Sequence, residues 1–204
     1  MKLTVFGSAG RTGGHVLSQG LQRGHRITAF TRRPDAPPRA SELAAVVHGD
    51  GRDPEAVTRA VTGADAVIAI VSSAARTGPH ETAEVSEVIV ASMTAAGARR
   101  LVITSAYPLV GNRPRVPIAL LRVALRASYA DLSQMERVVS GSDLDWTIAR
   151  LNRLLDRPPC GEVIVTRDLL SRPTGITRAD AAAALLDLAE TSTYARSSVN
   201  ISGN

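Results

Sequence analysis

Short apolar runs alternate along the chain with longer stretches whose apolar residues recur at helical spacing. The segments 2–6 (KLTVF) and 26–31 (RITAFT) are rich in β-branched and aromatic residues, which favours strands. Residues 66–71 (AVIAIV) are continuously apolar, which is typical of a strand covered on both faces of a sheet. The same criteria predict further strands at 44–48, 101–104, 146–149, 162–166 and 198–201.

The segments between these strands carry signals for the start and the end of helices. Asp53-Pro54 is a typical helix start, and Gly97 stands where a C-cap glycine belongs. Thr177 is followed three residues later by an acid, as in a capping box. We therefore predict helices at 13–23, 53–61, 81–97, 118–139 (with a break near Ser128) and 177–190.

The alternation of strands and helices predicts the fold class. Crossover helices between neighbouring strands favour an α/β fold, here a Rossmann-like doubly wound parallel sheet with strand order 3-2-1-4-5-6 and helices on both faces. A length of 204 residues fits a single domain (1–204). The irregular stretches at 107–117 and 150–176 are expected to form a small substrate-side region of that domain.

Composition excludes several classes of site and partner. Cys160 is the only cysteine, so disulfides and cysteine-based zinc sites are excluded, and a lone thiol favours a cytoplasmic location. No histidine pair has metal-ligand spacing, so we expect no metal. No apolar run approaches the roughly 20 residues of a membrane span, and the first residues read as a strand rather than a secretory signal. We expect no contact with a membrane.

The charge balance alone would suggest a nucleic-acid partner, because the formal net charge is +5. However, the arginines are scattered along the chain, and aromatic residues make up only 3%, too few for base-stacking platforms. These features argue against nucleic acid. Lys2 is the only lysine, so Schiff-base and Walker-type phosphate chemistry are excluded as well.

A glycine-rich turn follows the first strand. In Gly7-x-x-Gly10-x-x-Gly13, the first glycine permits a tight turn, the second permits close approach of a pyrophosphate, and the third permits close helix–strand packing. The helix that follows offers free N–H groups to phosphate, and Arg11 and Thr12 add side-chain donors. The motif predicts dinucleotide binding; the alternative is a tight turn without a ligand.

The end of the second strand indicates which dinucleotide. NAD-binding domains usually place an acid there, but this chain has Thr31-Arg32-Arg33. Guanidinium groups suit a ribose 2′-phosphate, so we predict NADP(H) in preference to NAD(H). Arg32 is nearer the strand and is favoured, with Arg33 as a partner. Which of the two contacts the phosphate stays open.

Other strand ends face the same crevice, because ligands bind outside the carboxyl ends of parallel strands. Asp50, beside Gly51, is either an acceptor for the adenine amino group or a turn-forming residue. Ser105 and Tyr107 are the polar groups predicted nearest the reacting carbon, and they are the candidate catalytic residues. The alternatives are a hydrogen bond from Ser105 to the cofactor or backbone, and a pocket-wall role for Tyr107.

Three segments together resemble a known family: KLTVFGSAGRTGGHV, TSAYPL and LDWTIAR. They are similar to the atypical short-chain dehydrogenases/reductases, in particular to NAD(P)H-binding proteins like biliverdin-IXβ reductase/flavin reductase, and more loosely to NmrA-like regulators. The family pattern continues Arg-Pro where this chain has Arg150-Leu151. The resemblance implies a Rossmann fold with cofactor contacts at Gly7, Ser8, Gly10, Arg11, Thr12, Gly13, Arg32, Asp50, Gly51, Val71, Ser72, Ser73, Thr104, Ser105, Leu151, Asn152, Arg153 and Leu154.

None of the three tyrosines has a lysine four residues further on, so the Tyr-Lys dyad of classical short-chain dehydrogenases is absent. The reductases that the chain resembles also lack this dyad and reduce flavins and bilins. We therefore expect an NADPH-dependent reductase that passes hydride to a flavin, quinone, bilin or similar conjugated small molecule, acting as a monomer or homodimer. The alternative is a non-catalytic NADP(H)-binding redox sensor of the NmrA-like type.

Overall fold

The computed structural model describes residues 1–33, 35, 37–71, 80–111 and 115–203, with residues 115–117 described by their backbone alone. Its strands are β1 (Lys2–Phe6), β2 (Arg26–Thr31), β3 (Ala45–His48), β4 (Ala66–Ala69), β5 (Arg100–Ala106), β6 (Asp145–Leu151), β7 (Leu154–Leu155), β8 (Val163–Thr166), β9 (Ile176–Thr177) and β10 (Ser197–Gly203). Its α-helices are α1 (Arg11–Gln22), α2 (Pro54–Val61), α3 (Thr82–Ala96), α4 (Arg115–Ala124), α5 (Arg126–Ser140) and α6 (Arg178–Glu190). None of these helices is long and apolar enough to cross a membrane.

Eight strands form one sheet in the order β3-β2-β1-β4-β5-β6-β10-β8. All neighbours pair in parallel except β8, which runs antiparallel to β10. The predicted order 3-2-1-4-5-6 is therefore confirmed. The order reverses between β1 and β4, so a crevice opens at the carboxyl ends of these two strands, where ligands of such sheets bind.

Each face of the sheet is covered by its own layer of helices. On one face, α1 and α6 pack against residues such as Val5 and Ile68; on the other face, α2, α3 and α5 pack against residues such as Phe6 and Ile103. Neighbouring strand residues enter opposite cores because side chains alternate across a strand. This two-sided burial explains why β4 is apolar throughout.

The predicted helix over 118–139 is broken into two helices, and the break lies three residues before the predicted position, Ser128. The break lies at Leu125, whose φ of −116° and ψ of 26° are not helical. The segment contains no proline or glycine at this point, so the sequence gives no local signal for it. Helix α1 also begins earlier than predicted, at Arg11 rather than residue 13, and β4 ends at Ala69 rather than residue 71.

The segment after β6 contains an unpredicted strand pair. Leu154–Leu155 forms β7, which pairs in parallel with β9 immediately before α6. Two-residue strands have no periodicity to detect. The pair joins the beginning of the segment 150–176 to the two residues that directly precede α6.

Candidate functional site

The turn between β1 and α1 is held in one conformation by close backbone contacts. Gly7 has a φ of +72°, and a Cβ atom there would lie 2.2 Å from the carbonyl oxygen of Ile70. A Cβ on Gly13 would lie 2.2 Å from the carbonyl oxygen of Gly7, and Gly10 donates its N–H to that same oxygen at 3.0 Å. Gly7 and Gly13 therefore have the steric roles that the motif predicts, whereas the predicted approach of a pyrophosphate at Gly10 stays a prediction.

The first turn of α1 is open to an anion. Gly10 is the N-cap residue, no side chain of the described residues caps it, and the first turn contains no acid. The N–H groups and the helix dipole of such a turn favour phosphate. Ser8 does not face this turn, because it is fully buried and its hydroxyl donates to the carbonyl of Phe30 at 2.8 Å. The residues present fit the pyrophosphate of a dinucleotide.

Two arginines and one acid stand beside this turn. Asp156 accepts from Arg11 Nη1 and from Arg178 Nε, each at 2.6 Å. Arg178 also donates to the Thr12 hydroxyl at 3.2 Å. Sequence reasoning singled out neither Asp156 nor Arg178, because they reach the turn from positions about 145 and 166 residues away. No local pattern indicates a contact of that range.

At the end of β2, the two consecutive arginines have different environments. Arg33 donates from Nη1 to the carbonyl of Ala9 at 3.2 Å, which ties it to the glycine-rich turn. The side chain of Arg32 is 63% exposed, and its nearest acidic oxygen is on Glu81 at 3.6 Å. Arg32 is therefore ion-paired with an acid, whereas Arg33 is hydrogen-bonded to the glycine-rich turn.

Asp50 stands across from these arginines and is itself paired. Arg52 donates to both carboxylate oxygens of Asp50, from Nε at 3.1 Å and Nη2 at 2.8 Å, and from Nη1 to Glu81 at 2.9 Å. The hydrogen bonds from Arg52 lower the pKa of Asp50 to about 2. Asp50 also accepts the backbone N–H of Arg52, as a turn-forming residue does. Gly51 packs against Val85, so a side chain there would be crowded.

The carboxyl ends of β5 and β6 carry a second polar cluster, formed by Ser105, Glu136 and Arg150. Glu136 Oε1 accepts from the Ser105 hydroxyl at 2.7 Å and from Arg150 Nε at 3.0 Å, and Glu136 Oε2 accepts from Arg150 Nη2 at 2.6 Å. The side chains of Arg150 and Glu136 are only 18% and 15% exposed. Sequence reasoning missed Glu136, because an acid on an amphipathic helix reads as a solvated surface residue.

Tyr107 has structural contacts that sequence reasoning did not foresee. Its side chain is 1% exposed, and its hydroxyl accepts the backbone N–H of Leu170 at 3.0 Å and lies 3.4 Å from the Leu170 carbonyl. A Cβ on Gly111 would lie 2.4 Å from the tyrosine ring. Tyr107 thus anchors residues 107–111 to the segment before α6. Its catalytic role stays a prediction.

The remaining predicted contact residues are spread around the crevice. Thr104 is buried in β5, and Val71 packs on the core shared with α3. Asn152 donates to the carbonyl of Thr174 at 2.6 Å, while Leu151 and Leu154 lie in β6 and β7 and Arg153 between them is exposed. Ser72 and Ser73 lie outside the described residues. Within the described ranges, no group of three or more acids, histidines or cysteines is arranged to hold a metal ion.

Comparison with known proteins gives a family match over most of the chain. Residues 7–192 match the model of a family described as NAD(P)H-binding. A 2-alkyl-3-oxoalkanoate reductase from Stenotrophomonas maltophilia (strain K279a) is 36% identical over 182 residues, which is 82% of this chain and 54% of the relative. The chain thus spans about half the length of this curated relative.

Solved structures share the fold at low sequence identity. A short-chain dehydrogenase/reductase from Veillonella parvula DSM 2008, solved in complex with NADP, has a TM-score of 0.81 at 21% identity, covering 98% of this chain and 94% of its own. A putative NADH-flavin reductase from Streptococcus pneumoniae TIGR4 has a TM-score of 0.82 at 17% identity, covering 100% of both chains. The anaerobillin reductase ChuY from Escherichia coli O157:H7 has a TM-score of 0.81 at 20% identity, covering 100% and 97%.

Proposed function

Because the chain belongs to the NAD(P)H-binding family, we propose that it is an NADPH-dependent reductase of a conjugated small molecule such as a flavin, bilin or quinone. The observation that carries this proposal is the uncapped, acid-free first turn of α1 at the point where the strand order reverses. The class of acceptor is supported by structural neighbours of this chain. They include a protein described as a putative NADH-flavin reductase and one described as an anaerobillin reductase.

The phosphate groups are assigned to two places. The pyrophosphate lies at the N–H groups of Arg11 and Thr12, with Arg178 beside them. The 2′-phosphate binds the exposed guanidinium of Arg32, since Arg33 is tied to the glycine-rich turn. The other predicted cofactor contacts are retained in this proposal: Ser8 through its backbone, Asp50, Gly51, Val71, Ser72, Ser73, Thr104, Leu151, Asn152, Arg153 and Leu154. Ser105, predicted both as a cofactor contact and as a catalytic residue, is placed on the acceptor side.

The bound nicotinamide supplies the hydride, and the protein binds and orients the two reactants. Reduction of a conjugated, electron-poor ring needs no strong general acid, because solvent delivers the proton that completes the two-electron step. This agrees with the absence of a Tyr-Lys dyad. Residues 107–111 and 150–176 frame the acceptor, held in place by the Tyr107–Leu170 contact and the β7–β9 pair. The lone thiol of Cys160 supports a cytoplasmic location as part of the proposal.

The proposal is tested by following NADPH and NADH oxidation with FMN, riboflavin, a bilin and a quinone as acceptors. We expect acceptor-dependent NADPH oxidation, and we expect it to disappear in Gly10→Glu, because a carboxylate then occupies the anion-binding turn. His15→Glu is the matched control, since it adds an acid at an exposed position of the same helix. Equal loss in both variants would show that charge on α1, rather than the turn, matters.

The polar groups on the acceptor side are equally compatible with one alternative, a redox sensor without turnover. Ser105, Glu136 and Arg150 bond to one another, and the Tyr107 hydroxyl bonds to Leu170, so no strong proton donor is left free among them. Tight NADPH binding without turnover by any acceptor in the panel would favour the sensor and exclude a reductase of these four acceptors.

A further inference from the structure

The cluster of Ser105, Glu136 and Arg150 determines in which direction Ser105 can form hydrogen bonds. Glu136 receives two hydrogen bonds from the Arg150 guanidinium, one on each carboxylate oxygen. In this fork-to-fork arrangement the carboxylate only accepts. The short contact between Ser105 Oγ and Glu136 Oε1, 2.7 Å, is therefore donated by the serine.

A serine hydroxyl has one hydrogen and two lone pairs. Since the hydrogen of Ser105 is directed at Glu136, the hydroxyl oxygen presents only lone pairs to its remaining surroundings. Ser105 is the penultimate residue of β5 and keeps 8% exposure at the carboxyl end of the sheet, beside the crevice. A group that meets Ser105 from the crevice must then supply the hydrogen itself.

We propose that Glu136 and Arg150 are positioning residues that make Ser105 a hydrogen-bond acceptor, so that the site selects conjugated acceptors with an N–H group next to the reducible ring. The imide of a flavin and the lactam or pyrrole of a bilin have such a group, whereas simple quinones offer only carbonyl oxygens. This inference rests on the proposed reductase function and narrows its substrate class. It also removes Ser105 as a proton donor.

The first experiment compares riboflavin with 3-methylriboflavin, in which the imide N–H is replaced by a methyl group. A hydrogen bond to a buried acceptor is worth about tenfold in kcat/KM, so we expect the methylated flavin to be about tenfold worse with the wild-type protein. In Ser105→Ala this difference should fall to about twofold or less, because the acceptor atom is gone. Fluorescence quenching of both oxidised flavins by the NADP⁺-loaded protein gives the same comparison without turnover.

The second experiment reverses the polarity of the cluster with Glu136→Gln. With the amide oxygen in the place of Oε2, the hydrogen bond from Arg150 Nη2 is kept and the one from Arg150 Nε is lost. The amide N–H group then donates to Ser105, whose own hydrogen is released towards the crevice. We expect the ratio of kcat/KM for riboflavin to that for menadione to fall about tenfold, because a quinone carbonyl now has a donor. A purely structural role for Glu136 would lower both values equally.

The outcomes separate this inference from the proposed function. Turnover of both flavins with equal efficiency overturns the inference and leaves the reductase intact. If none of the flavin, bilin and quinone acceptors is bound or turned over, both the inference and the proposed function are overturned. If Ser105→Ala weakens NADPH binding and leaves flavin selectivity unchanged, Ser105 accepts from the nicotinamide carboxamide instead, and the inference is wrong.

Discussion

At the proposed cofactor end of the crevice, the glycine-rich turn is one short segment, Gly7 to Gly13, that presents backbone N–H groups. At the proposed acceptor end, Ser105, Glu136 and Arg150 come from β5, α5 and β6 and bond to one another through their side chains. The first arrangement suits a ligand part that all family members share, the pyrophosphate. In the second arrangement, single side chains can be substituted without changing the backbone, so we expect these residues to determine the identity of the acceptor.

The largest effect is expected from a substitution in the glycine-rich turn, at the proposed cofactor end of the crevice. Gly13→Ala places a Cβ 2.2 Å from the Gly7 carbonyl oxygen and 2.9 Å from the Ser8 Cα, both rigid backbone. We expect a loss of about 3 kcal/mol in the free energy of unfolding, measured by urea denaturation, and no measurable NADPH binding. Gly14→Ala is the control: its nearest neighbour is Pro38 Cγ at 3.5 Å, and we expect unchanged or slightly higher stability. Equal damage from both would refute the steric explanation.

The next effect concerns the acceptor end. Glu136→Ala leaves the guanidinium of Arg150, 18% exposed, without its carboxylate. We expect about 2 kcal/mol of destabilisation in urea, less than for a fully buried pair, with NADPH affinity within about twofold of wild type. Adding Arg150→Met should recover part of the stability, because the orphaned charge is removed. A double variant as unstable as the single one would contradict this account.

Within the proposed cofactor end, the two arginines after β2 are expected to contribute differently to the preference for NADPH over NADH. For Arg32→Ala we expect about a tenfold fall in the ratio of NADPH to NADH affinity, from the loss of one charge-assisted contact with the 2′-phosphate. Arg33→Ala should change the ratio less than about threefold, because its guanidinium is directed at the Ala9 carbonyl. Isothermal titration of both variants with NADPH and with NADH measures these ratios. A larger loss of preference in Arg33→Ala than in Arg32→Ala would mean that Arg33 contacts the 2′-phosphate.

Asp156 links the two regions, since it extends from the acceptor-side segment to Arg11 and Arg178 beside the glycine-rich turn. Asp156→Asn frees positive charge next to the pyrophosphate position. We expect NADPH to bind about threefold tighter at low salt, with little difference at high salt, where exposed charges are screened. Stability should change by about 1 kcal/mol or less, because Asp156 and Arg11 are largely exposed and only the Arg178 side chain, 15% exposed, is mostly buried. Weaker NADPH binding would mean that Asp156 orients the arginines.

The smallest effect is the pH dependence from Asp50. Its folded-state pKa of about 2 lies below the ordinary 3.8, so its stabilising contribution is present above pH 4 and is lost as the pH falls towards 2. The side chain is 40% exposed, so screening limits this contribution to about 1 kcal/mol or less. Urea midpoints at pH 5 and pH 2.5 should differ less in Asp50→Asn than in the wild type. Identical differences would show that other carboxylates cause the acid dependence.

The strand order, the glycine-rich turn and the family resemblance could all be predicted from the amino-acid sequence. These features depend on neighbours in the chain: on alternation, on glycines that permit close approach, and on a strand followed directly by a helix. The difference between Arg32 and Arg33 was left open, because adjacent side chains take opposite directions that only their surroundings decide.

The polar contacts on the proposed acceptor side could not be predicted from the sequence, because they depend on the tertiary structure. Glu136 joins Ser105 across 31 residues, Tyr107 joins Leu170 across 63, and Asp156 joins Arg11 across 145. Each pair is made by the packing of separate helices, strands and loops, and its members carry no periodic signal that relates one to the other. Tyr107 is an example: the sequence marks it as a polar residue after a strand, and only the structure shows that its buried hydroxyl bonds to the backbone of a distant segment.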